Sequence, residues 1–343
     1  MKRSRSRKGA PGIVEVGLRA GVSPATVSRA FNDPDMVRAP TRKRIEQAAQ
    51  DLGYIRDRLA GAMHNKFSGT IGLIVPTIDN AIFSELIEAF SARLQQHDRT
   101  MLIASHGYDL AQEVAIVRSL LERRTDGIVL IGFDHDAVPL NMLAQRDIPV
   151  ISIWNYLDDS ALPCIGADNF DAGYQITRYV LEQGHRDIAY VFPDTKLNDR
   201  ARGRLDGAMK AVNEFGLNPS ENRLLTCPYD IGKSKELTMK TLTNDRPTAF
   251  VCGNDVIAHG AIYGCQASGL KVSEDISVCG IGDFRGSAHM EPGLTTIRLP
   301  AKQIGIAAAD TIVQMSETGM QPSPLHQRMD VLLVKRGSVQ KLI

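Results

Sequence analysis

Long apolar runs are missing from this 343-residue chain. The longest, such as Ile71-Gly72-Leu73-Ile74-Val75, fall far short of the roughly 20 residues that span a bilayer, so no membrane segment is expected. The chain begins Met-Lys-Arg-Ser-Arg-Ser-Arg-Lys, without the apolar stretch and small-residue cleavage site of a secretory signal. Cysteine is scarce, with five residues at 164, 227, 252, 265 and 279 and no Cys-x-x-Cys pair. That odd set argues against a disulfide framework or a zinc site and points to a reducing, cytoplasmic setting. Catalytic signatures are missing too. The chain has no nucleophile elbow, phosphate-binding loop or zinc-protease helix, and its eight histidines lack ligand spacing. The stretch Gly280-Ile281-Gly282-Asp283-Phe284-Arg285-Gly286 lacks the third-glycine spacing of a dinucleotide loop. An enzyme is not expected, nor any cofactor or metal.

What the chain does have is unevenly distributed. Its net charge is only +1, yet residues 1–66 hold 14 Lys/Arg against 6 Asp/Glu, and the remainder holds 26 against 33. A basic head on a mildly acidic body suggests polyanion binding by the head. The length suggests two or three domains. Ile13 to Ala20 reads as a short helix ended by Gly21. Ser23 is a good N-cap for a second helix, with Pro24 at its first position, running to about Asn32. After a loop at Asp33-Pro34-Asp35, Thr41 is expected to cap a third helix, with Ile45, Ala48, Ala49 and Leu52 on one face and Gly53 at its end. Two short helices around a tight glycine turn, supported by a third, make a helix-turn-helix whose second helix enters the major groove.

The string Arg-Ala-Gly-Val-Ser-Pro-Ala-Thr-Val-Ser-Arg-Ala-Phe-Asn at 19–32, with Val37 and Leu-Gly-Tyr at 52–54, closely resembles the headpiece of the LacI/GalR family of bacterial transcription regulators. The resemblance implies that Pro24, Ala25 and Arg29 read bases while Ser23, Thr26, Ser28 and Asn32 meet phosphates. The chemistry agrees, because arginine grips guanine in bidentate fashion and hydroxyls and amides bond phosphate oxygens. Val22, Val27 and Ala30 are expected in the core. By resemblance a hinge helix follows, with Met63 as its minor-groove wedge. Arg56 stands where proline is usual, Asp57 where asparagine is usual, and Gly61 where a longer residue is common. The glycine is expected to weaken the hinge helix by about 1 kcal/mol.

From Thr70 onward strand and helix signals alternate. Strands are expected at 70–77, 100–105, 127–131, 150–153, 187–192, 249–252 and 276–280. One helix carries Phe83, Leu86, Ile87, Phe90 and Leu94 as a stripe, and others are expected at 110–124, 169–183, 200–215, 232–242, 256–268 and 301–317. Such alternation implies parallel sheets in two doubly wound lobes. The resemblance continues at Asp126-Gly127-Ile128, Gly166-Ala167-Asp168-Asn169, Gly184-His185-Arg186-Asp187 and Gly293-Leu294-Thr295-Thr296, covering about 12–340. The expected fold is thus an N-terminal all-α headpiece joined to a two-lobed α/β core like the periplasmic binding proteins. The expected limits are a headpiece at 1–57 with a basic arm at 1–9, a hinge at 58–68 and a core at 69–343. Within the core, lobe 1 covers about 69–168 and 301–328, and lobe 2 about 169–300 and 329–343. His185 is expected to be a helix-end or loop residue without catalytic work.

Ligands of open α/β lobes bind at the carboxyl ends of the strands. There, by resemblance, Asn80 bonds hydroxyls, Phe83 stacks on a sugar face or joins the core, and Arg204 clamps the effector. Arg200 lies one helical turn from Arg204 on the same face. Arginine suits the clamp because its planar fork holds two oxygens at once. Tyr229 is an aromatic wall, Asn254 a ligand contact, and Asp255 the expected cap of the next helix. The family usually has an aspartate where Gly282 stands, leaving Asp283 beside it as the remaining acid of that site. Loss of the carboxylate favours an anion, and the Gly-x-Gly-Asp variant with Met290-Glu291-Pro292 resembles the gluconate-repressor branch. The expected protein is therefore a homodimeric repressor of carbohydrate-use genes that binds near-palindromic operator DNA and is switched by a sugar or sugar acid. A neutral sugar or a purine is the alternative effector; a solute-binding protein or a DNA-tethered enzyme is the more distant alternative.

Overall fold

The structure is a computed structural model that describes residues 11–55, 67–78 and 81–342. The chain divides into two compact units, Met1–Ser68 and Gly69–Ile343. In the first unit α1 spans Ile13–Ala20, α2 Pro24–Asn32 and α3 Ala39–Leu52. Val16, Val27, Ala30, Ile45, Ala48 and Ala49 form its core, with Val22 packed at the edge. Gly21 ends α1 in the left-handed conformation, its N–H returned to the carbonyls of Gly17 and Leu18. The third helix starts earlier than Thr41: Ala39 is its first residue, Pro40 occupies the first turn, and Thr41 is already inside. Proline fits there because the first N–H groups of a helix have no internal partner.

The second unit holds two six-stranded sheets. Its strands, among the described residues, are β1 Thr70–Val75, β2 Thr100–Ser105, β3 Gly127–Ile131, β4 Val150–Asn155, β5 Cys164–Ala167, β6 Ile188–Phe192, β7 Leu224–Thr226, β8 Ala249–Cys252, β9 Ser277–Gly282, β10 Thr295–Arg298, β11 His326–Met329 and β12 Leu332–Val334. The first sheet runs β11-β5-β4-β3-β1-β2, all parallel. The second runs β12-β10-β9-β8-β6-β7, parallel except for the antiparallel β10–β12 pair. The helices are α4 Ser84–Gln96, α5 Glu113–Glu122, α6 Ala137–Ala144, α7 Asn169–Glu182, α8 Asp199–Glu214, α9 Ile231–Asn244, α10 Asp255–Ala267 and α11 Ala301–Thr318. Because α11 packs on α4, β3 and β4 while β12 pairs with β10, the chain passes between lobes three times, near 168, 299 and 330. Central strands such as Gly127–Ile131 are buried at every position, as parallel strands covered on both faces must be.

One close approach fixes the head of α8. A Cβ at Gly173 would strike the Arg204 carbonyl, and one at Gly207 the Phe170 carbonyl. With hydrogen at both positions, α7 and α8 cross backbone to backbone, which sets where the α8 arginines stand.

Candidate effector cleft and nucleic-acid interface

In the headpiece, Ser23 caps α2 by accepting from Thr26 N (3.2 Å), and its Oγ lies 2.9 Å from Thr26 Oγ1. Asn32 Nδ2 donates to Ser28 Oγ at 3.2 Å. Ser23, Pro24, Ala25 and Arg29 are exposed, and Thr26, Ser28 and Asn32 are half-buried. Val27 and Ala30 turn inward. An exposed helix N-terminus flanked by small hydroxyl side chains and one arginine suits insertion against phosphates and base edges. Met63 lies outside the described residues.

The two lobes enclose a cavity of about 800 Å³. Thr77, Gly107 and Tyr108 line it from the first lobe, while Lys196, Asn198, Tyr229, Asp230 and Val256 line it from the second. All follow the carboxyl ends of strands. The Tyr108 and Tyr229 rings lie 6.1 Å apart, tilted by 37°, and Asn198 Nδ2 donates to the Tyr229 hydroxyl at 3.4 Å.

Arg204 is the unusual group. It is 1% exposed, donates through Nε to Asn169 Oδ1 (2.7 Å) and through one terminal nitrogen to the Gly253 carbonyl (3.0 Å). It meets no carboxylate in an ion pair among the described residues. Burial holds its guanidinium below the ordinary arginine range and Arg200 adds to that, while the Tyr229 and Tyr108 phenols and the Asp255 carboxylate act the other way. Asn254 follows the Gly253 that Arg204 bonds: its Oδ1 accepts from Ile257 N (3.0 Å), while its Nδ2 is buried with no partner among the described residues. A buried cation and a buried amide donor, each without an anionic acceptor among the described residues, suit an oxyanion, but neither side chain is among those that line the 800 Å³ cavity.

The other expected residues are placed differently. Arg200, 6% exposed, is satisfied by Asp199 (2.7 Å) and the Ile131 carbonyl (3.1 Å), so it bridges lobes rather than facing the cavity. Phe83 is 2% exposed and packs edge-on to Trp154 at 5.2 Å, which puts it in the first-lobe core. Asn80 lies outside the described residues. Asp255 is not the cap of α10. Asn254 caps it, and the buried Asp255 accepts from Ser287 Oγ (2.6 Å), Thr296 Oγ1 (2.6 Å) and Phe284 N (3.1 Å), pinning the 283–287 loop. Asp283 does not line the cavity. Its two oxygens take Arg298 and Arg336, each at 2.6 Å, beside a separate 480 Å³ depression that Gly282 also lines. Gly282 has φ +141°, and a Cβ there would enter the Phe284 ring, so an aspartate at this position would meet both strain and a clash.

His185 is structural, its ring nitrogens 3.0 Å from Thr248 Oγ1 and 3.1 Å from the Gln340 carbonyl. Sequence reasoning missed Asn155, Asn169 and Asp199, which are linked through Asn155 Nδ2–Asp199 Oδ2 (2.8 Å) and Asn169 Nδ2–Asn155 Oδ1 (2.9 Å). Their separations of 14 and 44 residues carry no local signal.

Residues 12–57 match the bacterial regulatory proteins of the lacI family, and residues 68–327 match the periplasmic binding proteins and sugar binding domain of the LacI family. The HTH-type transcriptional repressor PurR of Salmonella paratyphi B is 30% identical over 334 residues, covering 95% of this chain and 96% of that protein. Among solved structures, the Lac repressor dimer bound to operator and the anti-inducer ONPF aligns with TM-score 0.82 at 26% identity, covering 96% of this chain and 99% of that one. The transcription regulator GntR from Chromobacterium violaceum aligns with TM-score 0.74 at 28% identity, covering 79% of this chain and 99% of that one. No helix among the described residues is long and apolar enough to cross a membrane. The chain belongs to the LacI family, and is a DNA-binding transcriptional regulator with an effector-binding body rather than an enzyme.

Proposed function

We propose that the protein is a cytoplasmic, homodimeric repressor of carbohydrate-use genes whose effector is a sugar acid of the gluconate type. The observation that carries the effector reading is Arg204, a buried guanidinium in no ion pair with a carboxylate among the described residues, which donates to the carbonyl of Gly253, the chain neighbour of Asn254, and feels the tyrosine pair of the cavity wall. A ligand carboxylate supplies the missing countercharge, while its hydroxyls meet Asn198, Asp230 and the phenols. Each headpiece reads one half of a near-palindromic operator, with Arg29 on a base and Ser23, Thr26, Ser28 and Asn32 on phosphates. Met63 wedges the minor groove. The Lac repressor neighbour is a dimer on operator DNA, which supports the same assembly here.

The test is thermal unfolding of the full-length protein against aldonates, neutral hexoses and pentoses, and purines. A ligand at 100 times its Kd adds about 2.7 kcal/mol, a readily visible shift. Stabilisation by aldonates alone supports the reading. Stabilisation by neutral sugars alone, or by purines alone, replaces the effector class and leaves the regulator standing.

A further inference from the structure

The loop leaving β3 is where the first lobe grips α8 of the second. Phe133 N donates to Asp199 Oδ2 (2.9 Å), the Ile131 carbonyl accepts from Arg200 (3.1 Å), and Asp134 takes Arg202 through two bonds of 2.8 and 3.1 Å. Behind this loop lies a buried cluster that the effector reading does not use. It joins His106 after β2, Glu113 at the head of α5 and His135 on the loop itself, with side chains 6%, 2% and 3% exposed.

His135 engages both ring nitrogens, Nδ1 at 2.8 Å from Glu113 Oε1 and Nε2 at 2.9 Å from the Gly132 carbonyl. A backbone carbonyl only accepts, so Nε2 carries a hydrogen. The contact between Nδ1 and Glu113 then needs a second proton, on the ring or on the carboxyl. The pair therefore holds one proton more than a neutral imidazole beside a carboxylate. Removing it leaves two acceptors facing each other and an uncompensated negative charge near Asp199.

The charged groups around the pair come from every neighbouring element. Glu113 stands on α5, Asp199 and Arg200 on α8, and Asp134 and Asp136 on the loop. His106, 3.9 Å from Glu113, has its Nδ1 without a partner among the described residues and feels Asp109 and Arg200. Burial dominates at His106 and lowers its pKa, so it does not compete for the proton. At His135 burial opposes the charge, but the bond to Glu113 and its field outweigh burial and raise the pKa above the ordinary value.

We infer that the Glu113–His135 pair is a positioning device for the cleft: while its shared proton is in place it holds the 132–135 loop against Asp199 and Arg200, keeping the lobes engaged. This deepens the effector reading and rests on it only for what the cleft holds. The contribution is complete below about pH 6.5 and is lost as pH rises through the raised His135 value.

Hydrogen exchange at the Phe133 amide of the full-length protein reads the contact without any effector, so its result is independent of the sugar-acid reading. Corrected for intrinsic rates, protection should be level at low pH and then fall by up to about tenfold per pH unit. In Glu113→Gln the amide donates to Nδ1 and no extra proton is needed, so the contact stays and the profile becomes flat. His185→Gln leaves the slope unchanged. A pH-independent Phe133 amide in the unaltered protein, or a slope that survives Glu113→Gln, overturns the proposal. Should Glu113→Gln not fold, the His135 ring titration in the unaltered protein decides: a midpoint above that of free histidine supports it, and one at or below overturns it.

Discussion

Replacing Arg204 by methionine distinguishes a ligand-holding arginine from a structural one. In the free protein the side chain donates to Asn169 Oδ1 and the Gly253 carbonyl and meets no carboxylate among the described residues. Each charged hydrogen bond contributes about 1.5–3 kcal/mol, so their loss costs about 3–6 kcal/mol. Against this stands the burial of a lone cation, which costs several kcal/mol and which methionine, apolar and of similar length, removes. The two effects nearly cancel, and the free variant should lie within about 2 kcal/mol of the unaltered protein. At roughly 2–4 °C per kcal/mol for a unit of this size, its midpoint moves by less than about 8 °C. The bound state has no such offset. Truncating one side of a buried charge pair costs about 2–5 kcal/mol, which is about 30-fold to several-thousand-fold in Kd. Titration calorimetry with the acid that stabilises the unaltered protein measures this loss directly. Unchanged affinity in Arg204→Met would remove the arginine from the site. A free variant destabilised by more than about 5 kcal/mol would instead make it a structural pin.

Gly207→Ala puts a Cβ against the Phe170 carbonyl and should cost at least about 1–3 kcal/mol of the second unit's stability in chemical denaturation. Ser23→Ala removes the α2 cap and about 1 kcal/mol of headpiece stability, seen as about fivefold faster exchange of the Thr26 amide in the full-length protein. Burial lowers the pKa of both His106 and His185, so their contribution is present above about pH 6.5 and lost as pH falls through the folded values. Because the Glu113–His135 pair contributes with the opposite sign, the check is the difference: between pH 7 and 5 the unfolding midpoint of His185→Gln should fall less, or rise more, than that of the unaltered protein. Operator affinity should fall with salt at a log–log slope near about −0.9 per phosphate neutralised, and Arg29→Ala should relax preference at one base by about 1–3 kcal/mol; a flat salt response would remove the headpiece assignment.

The parts of the fold that were readable in the sequence are those with local causes. Gly21, Ser23 and Pro24 mark the turn and the start of α2 within four residues, and the buried strands announce themselves as apolar runs. Short edge strands such as Leu224–Thr226 and Leu332–Val334 have only three residues and mixed burial, so neither length nor alternation reveals them. Choosing between Asn254 and Asp255 as a cap needs the third dimension. Both side chains suit the role, but Asp255 is claimed by groups 29, 32 and 41 residues away. Asp283 misleads for the same reason, since the arginines that occupy it come from positions 298 and 336. Arg204 could be singled out from its place on α8; that it enters no ion pair with a carboxylate among the described residues could not, because such pairing is a property of the fold alone.

The arginine and the interlobe contact belong to one chain of hydrogen bonds. Arg204 Nε holds Asn169 Oδ1 (2.7 Å), Asn169 Nδ2 holds Asn155 Oδ1 (2.9 Å), and Asn155 Nδ2 holds Asp199 Oδ2 (2.8 Å), the oxygen that also accepts from Phe133. Asn169 opens α7 just after the first crossing, and Asn155 ends β4, so the chain passes through the junction of the lobes. An anion that draws the Arg204 fork toward itself weakens the hold on Asn169. An asparagine amide cannot turn to follow the arginine without giving up Asn155. Asp199 would then lose one of its neutral donors and lean harder on Arg200 and the Phe133 amide. Each neutral link contributes about 0.5–1.5 kcal/mol, so re-forming one or two of them matches the 1–3 kcal/mol that an allosteric switch typically transmits. Linkage makes the effect reciprocal: whatever loosens Phe133 from Asp199, including loss of the proton on the Glu113–His135 pair, must change effector affinity by the factor through which effector changes that contact.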